Sequence, residues 1–189
     1  ESEFSLKYLK PLLLLGIISF VVMGSEGAIV DWSGLYLQEI VQLEEQWIGA
    51  GFLGFSIAMT TGRFFGDGIS QRIGSEKILA LGAVVAILGY MGVLQDQMIW
   101  SISGFTAIGL GLSVVIPELF RMAGRQKTIS PSKAMAIVAG FGYSGFLTGP
   151  VILGFIAEGY GLHTSYYSLL GAIIAVFITA VLLIVNPKK

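Results

Sequence analysis

The chain has 189 residues, of which 54% are hydrophobic and only 12% are Asp, Glu, Lys or Arg, about half the roughly 25% charged share of a soluble domain. A mean hydropathy of +0.82 argues against a soluble enzyme, and a net charge of −1 provides no basic excess for binding nucleic acid. With no Cys and one His, disulfides, thiolate metal sites, cysteine nucleophiles and multi-His metal centres are excluded.

A bilayer core is crossed by about 20 mainly apolar helical residues. Cutting the chain where charges, Pro or polar clusters gather leaves six such stretches: Leu12 to Leu37, Trp47 to Gly66, Ile78 to Leu94, Met98 to Phe120, Ala134 to Ala157 and Tyr166 to Val185. The expected fold is an all-α membrane protein, one six-helix domain over residues 1–189 with no room for a soluble domain. The 26 glycines, about twice the usual ~7% share, suit helices that pack closely in a membrane. Lys7 and Lys10 precede the first stretch as in a signal peptide, but an h-region has only about 7 to 15 apolar residues, so this stretch reads as a true span. The chain begins Glu1-Ser2-Glu3-Phe4, as expected of a processed product or a piece of a larger protein.

The basic residues fix an expected orientation, because Lys and Arg accumulate in cytoplasmic connections. Lys7 and Lys10 precede span 1; Arg63, Arg72 and Lys77 surround the turn from span 2 to 3; Arg121, Arg125, Lys127 and Lys133 surround that from 4 to 5; Lys188 and Lys189 end the chain. The other connections carry Glu39, Glu44, Glu45, Asp96, Glu158 and His163 and no basic residue. Both termini are therefore expected on the cytoplasmic side of a plasma membrane.

Spans 2 and 5 share a glycine-studded pattern. Gly51-Phe52 and Gly140-Phe141 stand near their starts, and Thr61-Gly62-Arg63-Phe64-Phe65-Gly66 faces Thr148-Gly149-Pro150-Val151-Ile152-Leu153-Gly154. An offset of three helices reverses direction across the membrane, so the halves read as two inverted three-helix repeats of the kind transporters use; similar packing glycines on two unrelated helices are the competing explanation.

Gly62 to Asp67 followed by Arg72-Ile73-Gly74 resembles the signature loop of the major facilitator superfamily. The segments Glu26 to Leu37 and Gly142 to Pro150 look like the seventh and eleventh helices of bacterial members similar to fucose permeases. The loop departs from the family pattern: Gln71 stands where an Asp precedes the Arg, the acid lies at Asp67, and Ser75-Glu76-Lys77 follows. The resemblance implies the C-terminal six-helix half of a twelve-helix secondary transporter of the bacterial inner membrane. It further implies alternating access, a small-molecule substrate, protons as a candidate symport partner, the N-terminal half and the bilayer as partners, and no cofactor.

Counting ~1.5 Å per residue from Leu12 places Glu26 about 21 Å into its helix, just past the middle of a ~30 Å core. A carboxylate there is costly, so it should face a water-filled cavity or a partner, or carry a proton. Its small neighbours Gly24, Ser25, Gly27 and Ala28 leave space for a ligand; the alternative is a hydrogen bond that only fixes packing. Asp31 falls near the outer interface beside Trp32 and Tyr36, expected as interfacial aromatics, and is either a substrate or gate residue or a solvated helix-end acid. Tyr143, Ser144 and Thr148 offer hydroxyls in span 5, where Gly149-Pro150 should loosen the helix. Arg63 and Glu118 fall near the inner interface, with Arg121 three residues after Glu118 and so able to pair with it. The resemblance implies a cytoplasmic gate of Arg63, Asp67, Arg72, Glu118 and Arg121, against a merely solvated face. Spans 3 and 6, free of internal charge, are expected to be peripheral and lipid-facing.

Two other classes compete. Gly142-Tyr143-Ser144-Gly145 also reads as the Gly-x-Ser-Gly of rhomboid-like intramembrane serine proteases, but a serine nucleophile needs a base within hydrogen-bond reach. The sole His, His163, lies beyond span 5, about 20 Å along the axis from Ser144. A non-transporting packing or assembly module explains the glycines and not a carboxylate at mid-depth.

Overall fold

The computed structural model describes residues 6–126 and 129–185, with the side chains of residues 6–10 and of Asp67 left outside. In a bilayer every backbone N–H and C=O must be satisfied within its own segment, and the described residues are built of α-helices. These are α1 (Leu6–Glu39), α2 (Ala50–Ile73), α3 (Ser75–Val93), α4 (Met98–Ser113), α5 (Val115–Gly124), α6 (Pro131–Tyr160) and α7 (Leu162–Val185), with one 3-10 turn at Glu45–Trp47.

The helices extend or divide the expected spans for identifiable reasons. The fourth breaks into α4 and α5 at Val114 (φ −91°, ψ −17°). Pro117, in the first turn of α5, has no N–H to give the Ser113 carbonyl, so the helix restarts there. The signature segment is no loop: α2 stays helical through Asp67 and Arg72 to Ile73, and the chain reverses at Gly74 alone. Gly74 (φ 91°) and Gly161 (φ 87°) each donate a 2.9 Å hydrogen bond to the carbonyl four residues back, on Ser70 and Ala157. A side chain would be strained at such a φ. Among the described residues, five stretches are long and apolar enough to cross a membrane: Pro11–Glu39, Ser75–Val93, Met98–Gly124, Pro131–Tyr160 and Leu162–Val185. α2, expected as a span, has the length and not the apolarity, because Arg63, Asp67, Gln71 and Arg72 lie within it.

Glycine seams set how closely the helices approach. A Cβ on Gly104 of α4 would sit 2.5 Å from the Gly89 carbonyl oxygen of α3, and one on Gly89 would sit 2.7 Å from that of Gly104. Likewise Gly145 and Gly149 of α6 lie directly on the Phe20 and Gly24 carbonyls of α1. Backbone contact of this kind is what small residues permit between membrane helices. α6 continues unbroken through Pro150. The Phe146 carbonyl loses its i+4 donor at Pro150 and lies against Gly27 of α1, where a Cβ would run into its oxygen.

These seams leave an asymmetric exterior. α3 buries Leu79, Ala83, Ala86, Tyr90 and Val93 on one face and exposes Leu81, Leu88 and Met91 on the other. α7 is the more peripheral of the two charge-free helices. Phe64 and Phe65 of α2 and Tyr143, Leu147, Val151 and Phe155 of α6 are exposed.

Candidate functional site

Glu26 extends from the middle of α1 toward α2, where its Oε1 lies 3.6 Å from the Arg63 guanidinium. Both line a cavity of about 490 Å³ with Met23 and Phe146, Ile116, Pro117 and Phe120 of α5, and Tyr143 of α6. Four helices supply these walls, and apolar side chains surround one acid, one base and one phenol. That composition suits a small solute with a few oriented polar groups. The glycine approach of α6 to α1 brings Tyr143 to the cavity lining, and the α4–α5 break places Pro117 and Ile116 at the wall. Arg63, expected at the inner gate, is thus brought to the cavity acid; it also lines a narrow crevice with Ser113, Pro117 and Glu118.

Ser144 does not line this cavity. Its hydroxyl donates to the Phe141 carbonyl of its own helix at 2.7 Å, and that of Thr148 donates to the Ser144 carbonyl at 2.7 Å. Asp31 lines a separate cleft of about 650 Å³ between α1 and α6, with Trp32, Pro150, Phe155 and Glu158.

The expected inner cluster is assembled in part. Glu118 is only 2% exposed, and its Oε1 accepts from Arg121 at 2.6 Å, the pairing that the i,i+3 spacing allows. Arg121 also donates to the Ser70 hydroxyl of α2 at 2.5 Å, which joins α5 to the end of α2. Arg72 is exposed, away from this contact. The Asp67 side chain lies outside the described residues.

A second polar cluster, at the other end of the bundle, was not anticipated. The Tyr36 hydroxyl donates to Asp96 Oδ1 at 2.6 Å, and His163 Nε2 lies 3.0 Å from Asp96 Oδ2 without the geometry of a hydrogen bond. Tyr36 is wholly buried and not an interfacial aromatic; its ring stacks with His163 and lies 4.2 Å from that of Tyr166. Asp96 itself sits at φ 55°, a region Asp tolerates better than most residues. The only usable signal in the sequence was that Asp96 and His163 fall in connections without basic residues. The structure gives His163 to Asp96 and leaves Ser144 bonded to its own backbone, so no serine–histidine pair forms.

Glycine-packed helices, five of them among the described residues long and apolar enough to cross a membrane, define an integral membrane protein. The chain belongs to the Major Facilitator Superfamily, whose family model matches residues 15–189. It is 37% identical over 152 residues to the membrane protein MosC of Rhizobium meliloti, covering 80% of this chain and 37% of that protein. An uncharacterised MFS-type transporter of Yersinia pestis is 35% identical over 147 residues, covering 77% of this chain and 38% of the relative. A probable hexose phosphate transport protein of Chlamydia trachomatis is 28% identical over 181 residues, with 89% and 39% covered. Among solved structures, a mutant of the peptide transporter POT in complex with sulfate superimposes with a TM-score of 0.81 at 15% identity, covering 92% of this chain and 37% of that one. The POT family transporter PepTSo gives 0.77 at 13% identity, with 95% and 39% covered. The chain thus spans less than half the length of these proteins. It is an integral membrane protein.

Proposed function

We propose that this chain is the C-terminal half of a secondary transporter that carries a small solute by alternating access, with the Glu26–Arg63 pair at the substrate site. The observation that carries this reading is the pair itself, 3.6 Å apart in the cavity lined by Tyr143. Protonating Glu26 removes its attraction for Arg63 and frees the guanidinium for an anionic group on the solute; deprotonation restores the pair and favours release. Proton and solute are thereby coupled through competition for one cation. Asp31 in the neighbouring cleft contributes to solute entry.

Six membrane-crossing segments in two inverted repeats are part of the same proposal. Thr61, Gly62 and Gly74 keep the mutual spacing of Thr148, Gly149 and Gly161. Both threonines bond the carbonyl four residues back, and both turn glycines have the same conformation. α1 packs on α6 as α2 packs on α4, the exchange an inverted repeat requires. The end that gathers Ser70, Glu118 and Arg121 is the cytoplasmic side, with both termini there, in a bacterial inner membrane. At that end Asp67, Arg72, Glu118 and Arg121 act as a gate toward the N-terminal half.

The deciding experiment is Glu26→Gln in the full-length transporter, with uptake driven by a pH gradient measured beside thermal melting. Loss of uptake with unchanged melting is expected; wild-type uptake would sink the coupling role. A packing module predicts the reverse, with Gln silent and Glu26→Leu damaging stability.

A further inference from the structure

Glu118 keeps one oxygen that the fold around it leaves unused. Its side chain is 2% exposed; Oε1 accepts from Arg121 at 2.6 Å, and Oε2 has no hydrogen-bond partner among the described residues. A buried carboxylate oxygen without a donor is costly, more so than an unsatisfied neutral group. The second cation beside it is Arg63. This side chain stands on the partition between two spaces, the cavity that holds Glu26 and the crevice bounded by Gly66 of α2, Ser113, Val114, Pro117 and Glu118. Pro117 lines both, so the two spaces are neighbours. The crevice has about 10 Å³, close to the volume of a single water. No solute fits there, whereas an N–H edge of the guanidinium that already lines it can close it.

The contact that holds Arg63 on the cavity side is loose. Its guanidinium lies 3.6 Å from Glu26 Oε1, an ion pair longer than a hydrogen bond, and the Arg63 side chain is half exposed. Several N–H donors on a flexible stem can turn to a different acceptor. The charged and titratable groups lining the two spaces, among the described side chains, are Glu26, Arg63, Tyr143 and Glu118. Arg121 is held by Glu118 Oε1 and by Ser70. Arg63 is therefore the cation placed to give Oε2 a donor once Glu26 no longer attracts it.

We infer that Glu118 is the second partner of Arg63: when Glu26 is neutral and no solute is bound, the Arg63 guanidinium turns from the cavity into the crevice and donates to Glu118 Oε2. This rests on the proposed protonation of Glu26 and extends it to the empty carrier. Arg63 then has three alternative anions, namely ionised Glu26, the anionic group of the solute and Glu118. A solute has to displace Glu118 in order to bind, so Glu118 sets how tightly the protonated carrier holds an anion. The exchange also carries the state of the cavity to the end of the bundle where α2 meets α5, because Glu118 holds Arg121 and through it Ser70. A protonated carrier without solute thereby differs from a loaded one at a contact that joins two helices, a difference that a coupled transporter needs if it is not to leak protons.

The test uses the full-length protein, with Glu26→Gln standing for the neutral acid. In that background Arg63→Met should lower the melting temperature, and Glu118→Gln should cancel most of the loss, as a direct pair does in a double-mutant cycle. A silent Arg63→Met, or a loss untouched by Glu118→Gln, would overturn the exchange. Because Glu118→Gln also weakens the hold on Arg121, a second measurement leaves Glu118 in place. Phenylglyoxal, which modifies accessible guanidinium groups, should react with Arg63 more slowly in Glu26→Gln than in wild type, read by mass spectrometry of the peptide that contains it. Equal or faster modification would likewise overturn the exchange. Uptake driven by a pH gradient separates this failure from that of the reading beneath it. Abolished uptake in Glu26→Gln together with a silent Arg63→Met overturns the exchange alone, whereas wild-type uptake in Glu26→Gln overturns the coupling role whatever the melting shows.

Discussion

At the end of the bundle where α2 meets α5, the carboxylate of Glu118 is 2% exposed and binds the Arg121 guanidinium at 2.6 Å, with Ser70 as a further acceptor. At the other end, where α1, the α3–α4 turn and α7 meet, Asp96 is 39% exposed and is shared by a buried tyrosine and a partly exposed histidine. Both ends tie separate helices through one acid, but burial differs, and burial sets how much each contact is worth. A buried ion is costly to leave alone, whereas an exposed one can fall back on water. The first end therefore resists disruption as a unit, and the second is adjustable.

The largest effect should come from Arg121→Ala, which strands a buried carboxylate. We expect about 3 kcal/mol of destabilisation, the low end for a broken buried pair, read as a lower melting temperature of the purified full-length protein. Glu118→Gln together with Arg121→Ala should recover part of that loss, and no recovery would mean the loss comes from Arg121 packing instead. Next, Tyr36→Phe removes a hydrogen bond to a carboxylate and should cost about 1.5–3 kcal/mol. A cost near zero would show Asp96 fully satisfied by water and remove the tie between α1 and the α3–α4 turn. The smallest effect should be that of His163→Gln, about 0–1 kcal/mol as for exposed ion pairs. A larger loss would make the two ends equivalent and break the comparison.

The Glu118–Arg121 end was legible because its chemistry is local. Glu118 and Arg121 are one helical turn apart, and that spacing alone brings their side chains together. The Asp96 end was not legible, since Tyr36 and Asp96 belong to different helices and meet only after α1, α3 and α7 pack. Tyr36 looked like a membrane-interface aromatic for the same reason, because depth along one helix says nothing of which face its neighbours cover. Glu26 could be singled out by depth, a property of α1 by itself. That Arg63 rather than another group faces it was decided by the packing of α2 against α4 and of α1 against α6.

Apolar length, the placement of basic residues and the spacing of glycines were enough to determine an all-helical membrane protein, the approximate segments and the family resemblance. These depend on burial of apolar surface and on backbone self-satisfaction within each segment, which act residue by residue. The α4–α5 break at Val114, the helical course of α2 to Gly74, the choice of which face of α3 is buried and the meeting of Glu26 with Arg63 were decided only in the tertiary structure. Each depends on which backbone surfaces come close enough to touch. The glycines at 89, 104, 145 and 149 permit that approach, but a glycine carries no side chain to specify its partner, so the sequence records that helices can approach and leaves which ones to the packed bundle.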